Sequence, residues 1–140
     1  MKTIGIIGAS SNVGSALVKK FYSKEIQIKL FQNKNSLNNF KDKAIIYNNL
    51  SFFFEDNDEL ISVIPIWIFR DLLIKNKSKI KFKKLLLLSS TSASTKINSE
   101  DIWEKNYAKK FLIAEEEIKK LCLELNITYT ILRPSMIWGN

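Results

Sequence analysis

The stretch Ile4–Phe21, "IGIIGASSNVGSALVKKF", is where the fold can first be read. An apolar run closes at Gly8, and beyond it Val13, Ala16, Leu17 and Phe21 recur at helical spacing. The pattern predicts a strand, a tight turn and a helix. Such a turn aims the unpaired N–H groups of the first helical turn, with the positive end of the helix dipole, at an anion above the strand ends. Glycine is needed where the backbone must approach a phosphate or where the helix must sit close to the strand. Gly8 and Gly14 hold the outer positions of the turn, and Ser11 stands at the middle one. A Cβ there crowds a pyrophosphate, yet a hydroxyl at a helix N-terminus can donate to a phosphate oxygen, and Ser10, Ser11 and Asn12 are all good capping types. The spacing alone leaves two readings open, a dinucleotide site and a tight structural turn.

Working outward, strand and helix alternate along the chain. "IQIKLF" (Ile26–Phe31), "AIIYN" (Ala44–Asn48), "ELISVI" (Glu59–Ile64) and "KLLLLSS" (Lys84–Ser90) read as the second to fifth strands, and "ITYTILRP" supplies a sixth. The near-continuous apolar character of the first five predicts burial on both faces. A helix beginning near Pro65 carries Ile66, Trp67, Phe69, Leu72 and Leu73, apolar nearly all round. A longer one, from about Glu100 to Leu125, carries the stripe Tyr107, Phe111, Ala114, Ile118, Leu121 and Leu125. Between the third and fourth strands only "NLSFFFEDND" is available, enough for a helical turn or a trimmed loop. Six strands joined by crossovers predict an α/β fold, a doubly wound parallel sheet in the order 3-2-1-4-5-6, with residues 1–140 forming one domain.

Composition bounds the function. At 46% apolar and 26% charged residues, the 140-residue chain is an ordinary globular domain. The N-terminus reaches glycine and serine too soon for a secretory segment, and no apolar run approaches the ~20 residues that cross a bilayer, so a cytoplasmic protein with no membrane partner is expected. One cysteine, Cys122 among leucines, and no histidine argue for a core thiol and against a metal site. The net charge of +8 raises the question of nucleic acid. The densest basic stretch, "KNKSKIKFKK" (Lys75–Lys84), has no interleaved stacking platform, and only Arg70 and Arg133 are arginines. A solvated loop leading into a strand accounts for it, so no nucleic-acid partner is expected.

Four stretches, in order, resemble the extended short-chain dehydrogenase/reductases, the NAD-dependent epimerase/dehydratase relatives. "GASSNVG" resembles their GxxGxxG turn, "ISVIP" the end of their fourth strand, "LLLLSSTSAST" the serine-rich end of their fifth, and "TILRPSMIWGN" their RPxxIYG segment. The resemblance covers nearly all of the chain and implies an NAD(P)-binding Rossmann domain. It implies cofactor contacts at Gly8, Ser10, Ser11, Asn12, Val13, Gly14, Ile64 and Pro65, and further ones at Ser89, Pro134, Ser135 and Ile137. NAD-preferring folds place an acid at the end of the second strand. Here "LFQNKN" offers the neutral Gln32 and Asn33 and then Lys34, which could meet a 2′-phosphate, so NADP is favoured over NAD.

The family's chemistry uses a strand-five hydroxyl with Tyr-x-x-x-Lys, the lysine lowering the tyrosine pKa for general acid/base work. The resemblance puts Thr91 and Tyr107 in those places, with Glu115 in the register of the family's glutamate, but Phe111 stands where the lysine belongs. Lys110 could swing partly towards that face, whereas Lys109 points elsewhere. Tyr107 is equally readable as a half-buried member of the apolar stripe. The resemblance also implies a smaller substrate-binding part after the sixth strand, beyond Asn140. Two expectations follow: the cofactor domain of an oxidoreductase or epimerase acting on an unknown small molecule, or a non-catalytic dinucleotide-binding regulatory or interaction module. Ile66, Trp67, Phe69 and Leu73 crowd one helix, which predicts a homodimer through helices 66–75 and 100–125.

Overall fold

The computed structural model describes residues 2–32 and 35–134 of the chain. Six strands form one sheet: β1 (Lys2–Ile7), β2 (Ile26–Phe31), β3 (Ala44–Tyr47), β4 (Glu59–Ser62), β5 (Lys84–Leu88) and β6 (Thr128–Leu132). Their order is β3-β2-β1-β4-β5-β6, and every pairing is parallel. The doubly wound order expected from the alternation of elements is therefore the one observed. The helices are α1 (Asn12–Phe21), α2 (Leu50–Glu55), α3 (Ile66–Lys75), α4 (Ser92–Thr95) and α5 (Ile102–Leu125), and a 3-10 turn spans Asn35–Phe40.

Two cores flank the sheet. On one face Ile4, Ile6, Ile28, Leu30 and Ile61 meet Val18 of α1 and Leu37 and Phe40 of the 3-10 turn. On the other, Leu60, Leu85 and Leu87 meet Phe53 and Phe54 of α2, Phe69 and Leu73 of α3, and Phe111 and Ile118 of α5. The short β3–β4 connection thus makes a six-residue helix, capped by the Asn49 side chain, whose two buried phenylalanines fill the space a longer crossover would cover. Asp101 caps α5 by accepting from the Trp103 and Glu104 amides. At its other end Asn126 takes a left-handed conformation at φ 57°, which turns the chain into β6.

The sixth strand lies at the sheet edge, where Tyr129 and Leu132 are exposed. α3 begins near Pro65, as expected, with the proline as its cap and the proline carbonyl accepting from the Ile68 and Phe69 amides. One expectation changes: of the four residues expected to crowd α3, Ile66, Phe69 and Leu73 belong to the core, and the exposed apolar residues of that helix are Ile68 and Ile74. In the basic stretch before β5, which includes a 3-10 turn at Lys77–Lys79, the lysines are exposed as expected, while Phe82 is buried in the core. Cys122 is buried, which pushes its thiol up to about 11. No helix among the described residues is long and apolar enough to cross a membrane.

Candidate nucleotide-binding crevice

The sheet order reverses between β1 and β4, and in open α/β sheets ligands bind at the carboxyl ends of the strands beside that point. The turn at this place has the two glycines for separate steric reasons. Gly8 sits at φ +98°, and a Cβ on it would come 2.7 Å from Val63 Cγ2. A Cβ on Gly14 would come 2.1 Å from the Gly8 carbonyl oxygen, so only glycine lets α1 lie this close to the end of β1. Ser11, in the middle, caps α1: its hydroxyl accepts from the Gly14 amide at 3.0 Å and donates to the Gly8 carbonyl at 2.7 Å. Its one proton is therefore engaged within the turn. Ser10, Ser11 and Asn12 are exposed and Val13 is half-buried, which leaves the mouth of the turn open above the strand ends.

Beside the turn lies a cleft of about 500 Å3. Gly8, Ala9 and Ser10 form one end of it, and Phe31, Leu37, Ile64, Ile68 and Leu72 make apolar walls, with Pro65 at the start of α3. Gln32 closes the far side, buried, with its side chain pulled into the protein. Its Nε2 donates to Asn48 Oδ1 at 3.1 Å, and its Oε1 accepts from the Leu37 amide at 3.0 Å. The amide thus anchors the 3-10 turn that carries Leu37. Lys34, Ser135 and Ile137 lie outside the described residues, as does Asn33.

On the β5–β6 side the sequence-predicted residues have other partners. The Ser89 hydroxyl donates to Glu115 Oε2 at 2.6 Å, and Arg133 grips the same carboxylate with Nε at 3.1 Å and a terminal nitrogen at 2.7 Å. Glu115 is 2% exposed, and the carboxylate beside Arg133 raises the guanidinium pKa further through the hydrogen bond and its charge. Thr91 caps α4, its carbonyl accepting from the Ser94 and Thr95 hydroxyls, while its amide donates to the Pro134 carbonyl at 3.4 Å.

Tyr107 is half-buried in an aromatic group. It stacks on Trp103 with ring centroids 5.5 Å apart, and meets Phe111 edge-on at 5.1 Å and Trp67 at 5.8 Å. Phe111 in turn packs on Trp67 at 5.1 Å. The Lys110 ammonium lies 5.7 Å from the centre of the Trp67 ring, a cation–π contact on this patch. Tyr107 lies on α5 as expected, whereas Thr91 stands past the end of β5, at the cap of α4, and Phe111 packs against Tyr107 in the position expected for the lysine.

Sequence reasoning missed the Glu115–Arg133 pair and the Asn48 anchor of Gln32. A signal for the pair existed. Glu115 falls on the face of α5 that carries Phe111, Ile118 and Cys122, and a carboxylate there needs a cationic partner.

No family model matches the sequence, and no curated protein matches it. Solved structures do match in fold. Vestitone reductase from alfalfa (Medicago sativa) superposes with a TM-score of 0.71 at 14% identity, over 95% of this chain and 56% of that one. A short-chain dehydrogenase/reductase superfamily protein from Agrobacterium tumefaciens, with bound NAD, gives 0.69 at 14%, over 94% and 48%. The UDP-Glc/GlcNAc 4-epimerase of Campylobacter jejuni gives 0.72 at 14%, over 95% and 53%. The chain spans about half the length of these three proteins. Its six-stranded parallel Rossmann fold is thus similar to that of these three structures.

Proposed function

We propose that this chain is the nicotinamide-dinucleotide-binding part of an oxidoreductase or epimerase of the short-chain dehydrogenase/reductase type. The observation that carries the reading is the Gly8–Gly14 turn, whose geometry excludes a Cβ at both ends and opens onto a cleft at the reversal of strand order. When bound, the cofactor would supply hydride transfer at its nicotinamide ring. Gly8, Ser10, Ser11, Asn12, Val13 and Gly14 would hold the pyrophosphate, with Ile64 and Pro65 beside it and the β2 end at Gln32 and Lys34 as the ribose subsite. The charge of Lys34 would favour NADP. Ser89, Pro134, Ser135 and Ile137 would contribute to the second half of the cofactor site.

Calorimetric titration of the intact, folded chain with NADPH and NADH tests the assignment. Saturable binding is expected, tighter for NADPH. Binding of neither overturns the cofactor reading, and preference for NADH overturns only the role of Lys34.

A second reading, a dinucleotide-binding module without turnover, draws support from Phe111 and from the packing of Tyr107 against three aromatic rings. The family chemistry needs an ammonium beside the tyrosine to stabilise its phenolate, and Phe111 stands in that place. NADPH oxidation is then absent across a panel of aldehydes, ketones and nucleotide sugars. Turnover that disappears in Tyr107→Phe would establish Tyr107 as the acid/base, aided by Lys110 or another group. Under either reading we propose a cytoplasmic protein that dimerises through α3 and α5, with the exposed Ile74 and Ile113 available for the contact. Sedimentation showing only monomer at tens of micromolar counts against the dimer.

A further inference from the structure

The sheet ends on one side at β3, a strand of 4 residues paired with β2. The Tyr47 carbonyl accepts from the Gln32 amide at 3.0 Å, so Tyr47, and with it Ile45, directs its backbone groups at β2. Ala44 and Ile46, alternating with them, direct their N–H and C=O groups outward from the edge. We propose that this edge takes up an extended acidic segment of another protein as an added strand. The proposal is independent of the nucleotide reading.

Apolar contact and positive charge both lie beside those backbone groups. Ile45 is 43% exposed, on the face where Tyr47 packs against Phe53 of α2. Phe52 of the same helix is 62% exposed. At the start of β3 a groove of about 360 Å3 runs between the first residues of β2 and those of β3. Lys24, Lys41 and Lys43 line it and are exposed, with Asp42 between the last two. The Lys43 ammonium lies 5.7 Å from the centre of the Tyr22 ring, a cation–π contact that steadies it beside the groove.

Two features choose the occupant. A strand edge gives and accepts main-chain hydrogen bonds, which an extended peptide satisfies and a helix or a phosphate chain does not. Lysines beside the edge repel a second copy of this chain, whose β3 carries the same charges, and attract carboxylates. The net charge of +8 adds to that preference. The segment that fits alternates apolar with polar residues. Its apolar side chains lie beside Ile45, and its acids stand at the end that meets Lys41 and Lys43.

The probe is a fluorescein-labelled, blocked peptide of alternating valine and threonine with a pair of glutamates at each end, titrated with the intact chain by fluorescence anisotropy. Saturable binding is expected, with a loss of about tenfold or more when lysines replace the glutamates. The Lys41→Glu/Lys43→Glu chain should lose as much, and because both lysines are exposed it keeps the fold. Amide hydrogen exchange at Ala44 and Ile46 should slow by about tenfold or more in the complex. Absence of saturable binding overturns the proposal, as does equal binding of the lysine peptide. A peptide with proline in place of every threonine cannot pair as a strand, and equal binding of it would reduce the site to charge attraction and overturn the proposal too. Exchange at Ala44 and Ile46 that slows with chain concentration alone gives the edge to a second copy instead. Displacement of the peptide by an equimolar oligothymidylate gives it to single-stranded nucleic acid, and either result overturns the proposal. Every one of these outcomes leaves the assignment of the Gly8–Gly14 cleft standing.

Discussion

At the carboxyl ends of β1 and β2 the chain leaves a cleft, whereas beside the ends of β5 and β6 the described residues form a buried ion pair and a group of packed rings. Both regions are built from apolar parallel strands with a helix packed behind them. The difference lies in where polar groups are spent. In the first half, the Ser11 hydroxyl and the Gln32 amide are used to shape loops, and the space beside them remains open. In the second, Glu115 draws in Ser89 and Arg133 from two strand ends and ties α5 to both. An open edge is suited to binding; a tied edge is suited to holding the sheet together.

The comparison can be broken most severely at the turn. Gly14→Val sets side-chain carbon against a carbonyl oxygen that would stand 2.1 Å from its Cβ. α1 must then move off the sheet. A loss of about 5 kcal/mol, at the exceptional end for single substitutions, is expected in urea denaturation. A loss under about 1 kcal/mol would show that the helix can slide without cost.

Next comes the tied edge. Arg133→Met removes the cation and leaves the Glu115 carboxylate buried with Ser89, which is expected to cost about 3–5 kcal/mol. Glu115→Gln is milder, about 1–3 kcal/mol, because Arg133 retains enough exposure to be solvated. If the order of the two variants is reversed in equilibrium unfolding, Arg133 rather than Glu115 is the member whose burial matters.

The smallest effect lies in alkali. The Tyr47 hydroxyl, desolvated and donating to Asp56 at 2.8 Å, has its pKa pushed from 10.0 up to about 12. The folded protein therefore favours the neutral phenol. This contribution to stability is fully present below pH ~10 and is lost as pH rises from there through about 12. Tyr47→Phe should show a shallower loss of stability than the parent between pH 9 and 11, by a few tenths of a kcal/mol up to about 1. Parallel curves for the two proteins would mean that Tyr47 titrates normally.

Much of the fold could be read directly. The change from strand period to helical period across Gly8 sets the first unit, and its repetition down the chain leads to a parallel sheet of fixed order. The short β3–β4 connection, with room for only a turn of helix, is also visible in residue count alone. Burial was less legible. Ile66, Phe69 and Leu73 are no more apolar than Ile68 and Ile74, and only the direction from which the sheet and α5 approach decides which of them reach the core. The candidate site divides the same way. Gly8, Ser11 and Gly14 stood out because their roles are local, enforced by backbone geometry within a few residues.

What the sequence by itself determined about this protein is the set of elements, their parallel order and the position of the phosphate-type turn, because these follow from periodicity, steric limits at glycine and the handedness of crossovers. What only the tertiary structure decided is which polar side chains remain available. Ser89, Glu115 and Arg133 are far apart in sequence, as are Gln32 and Asn48, and their hydrogen bonds exist only once the sheet brings separate strand ends together. A hydrogen bond depends on distances of a few tenths of an ångström between groups placed by different elements, and no pattern local to the chain encodes it.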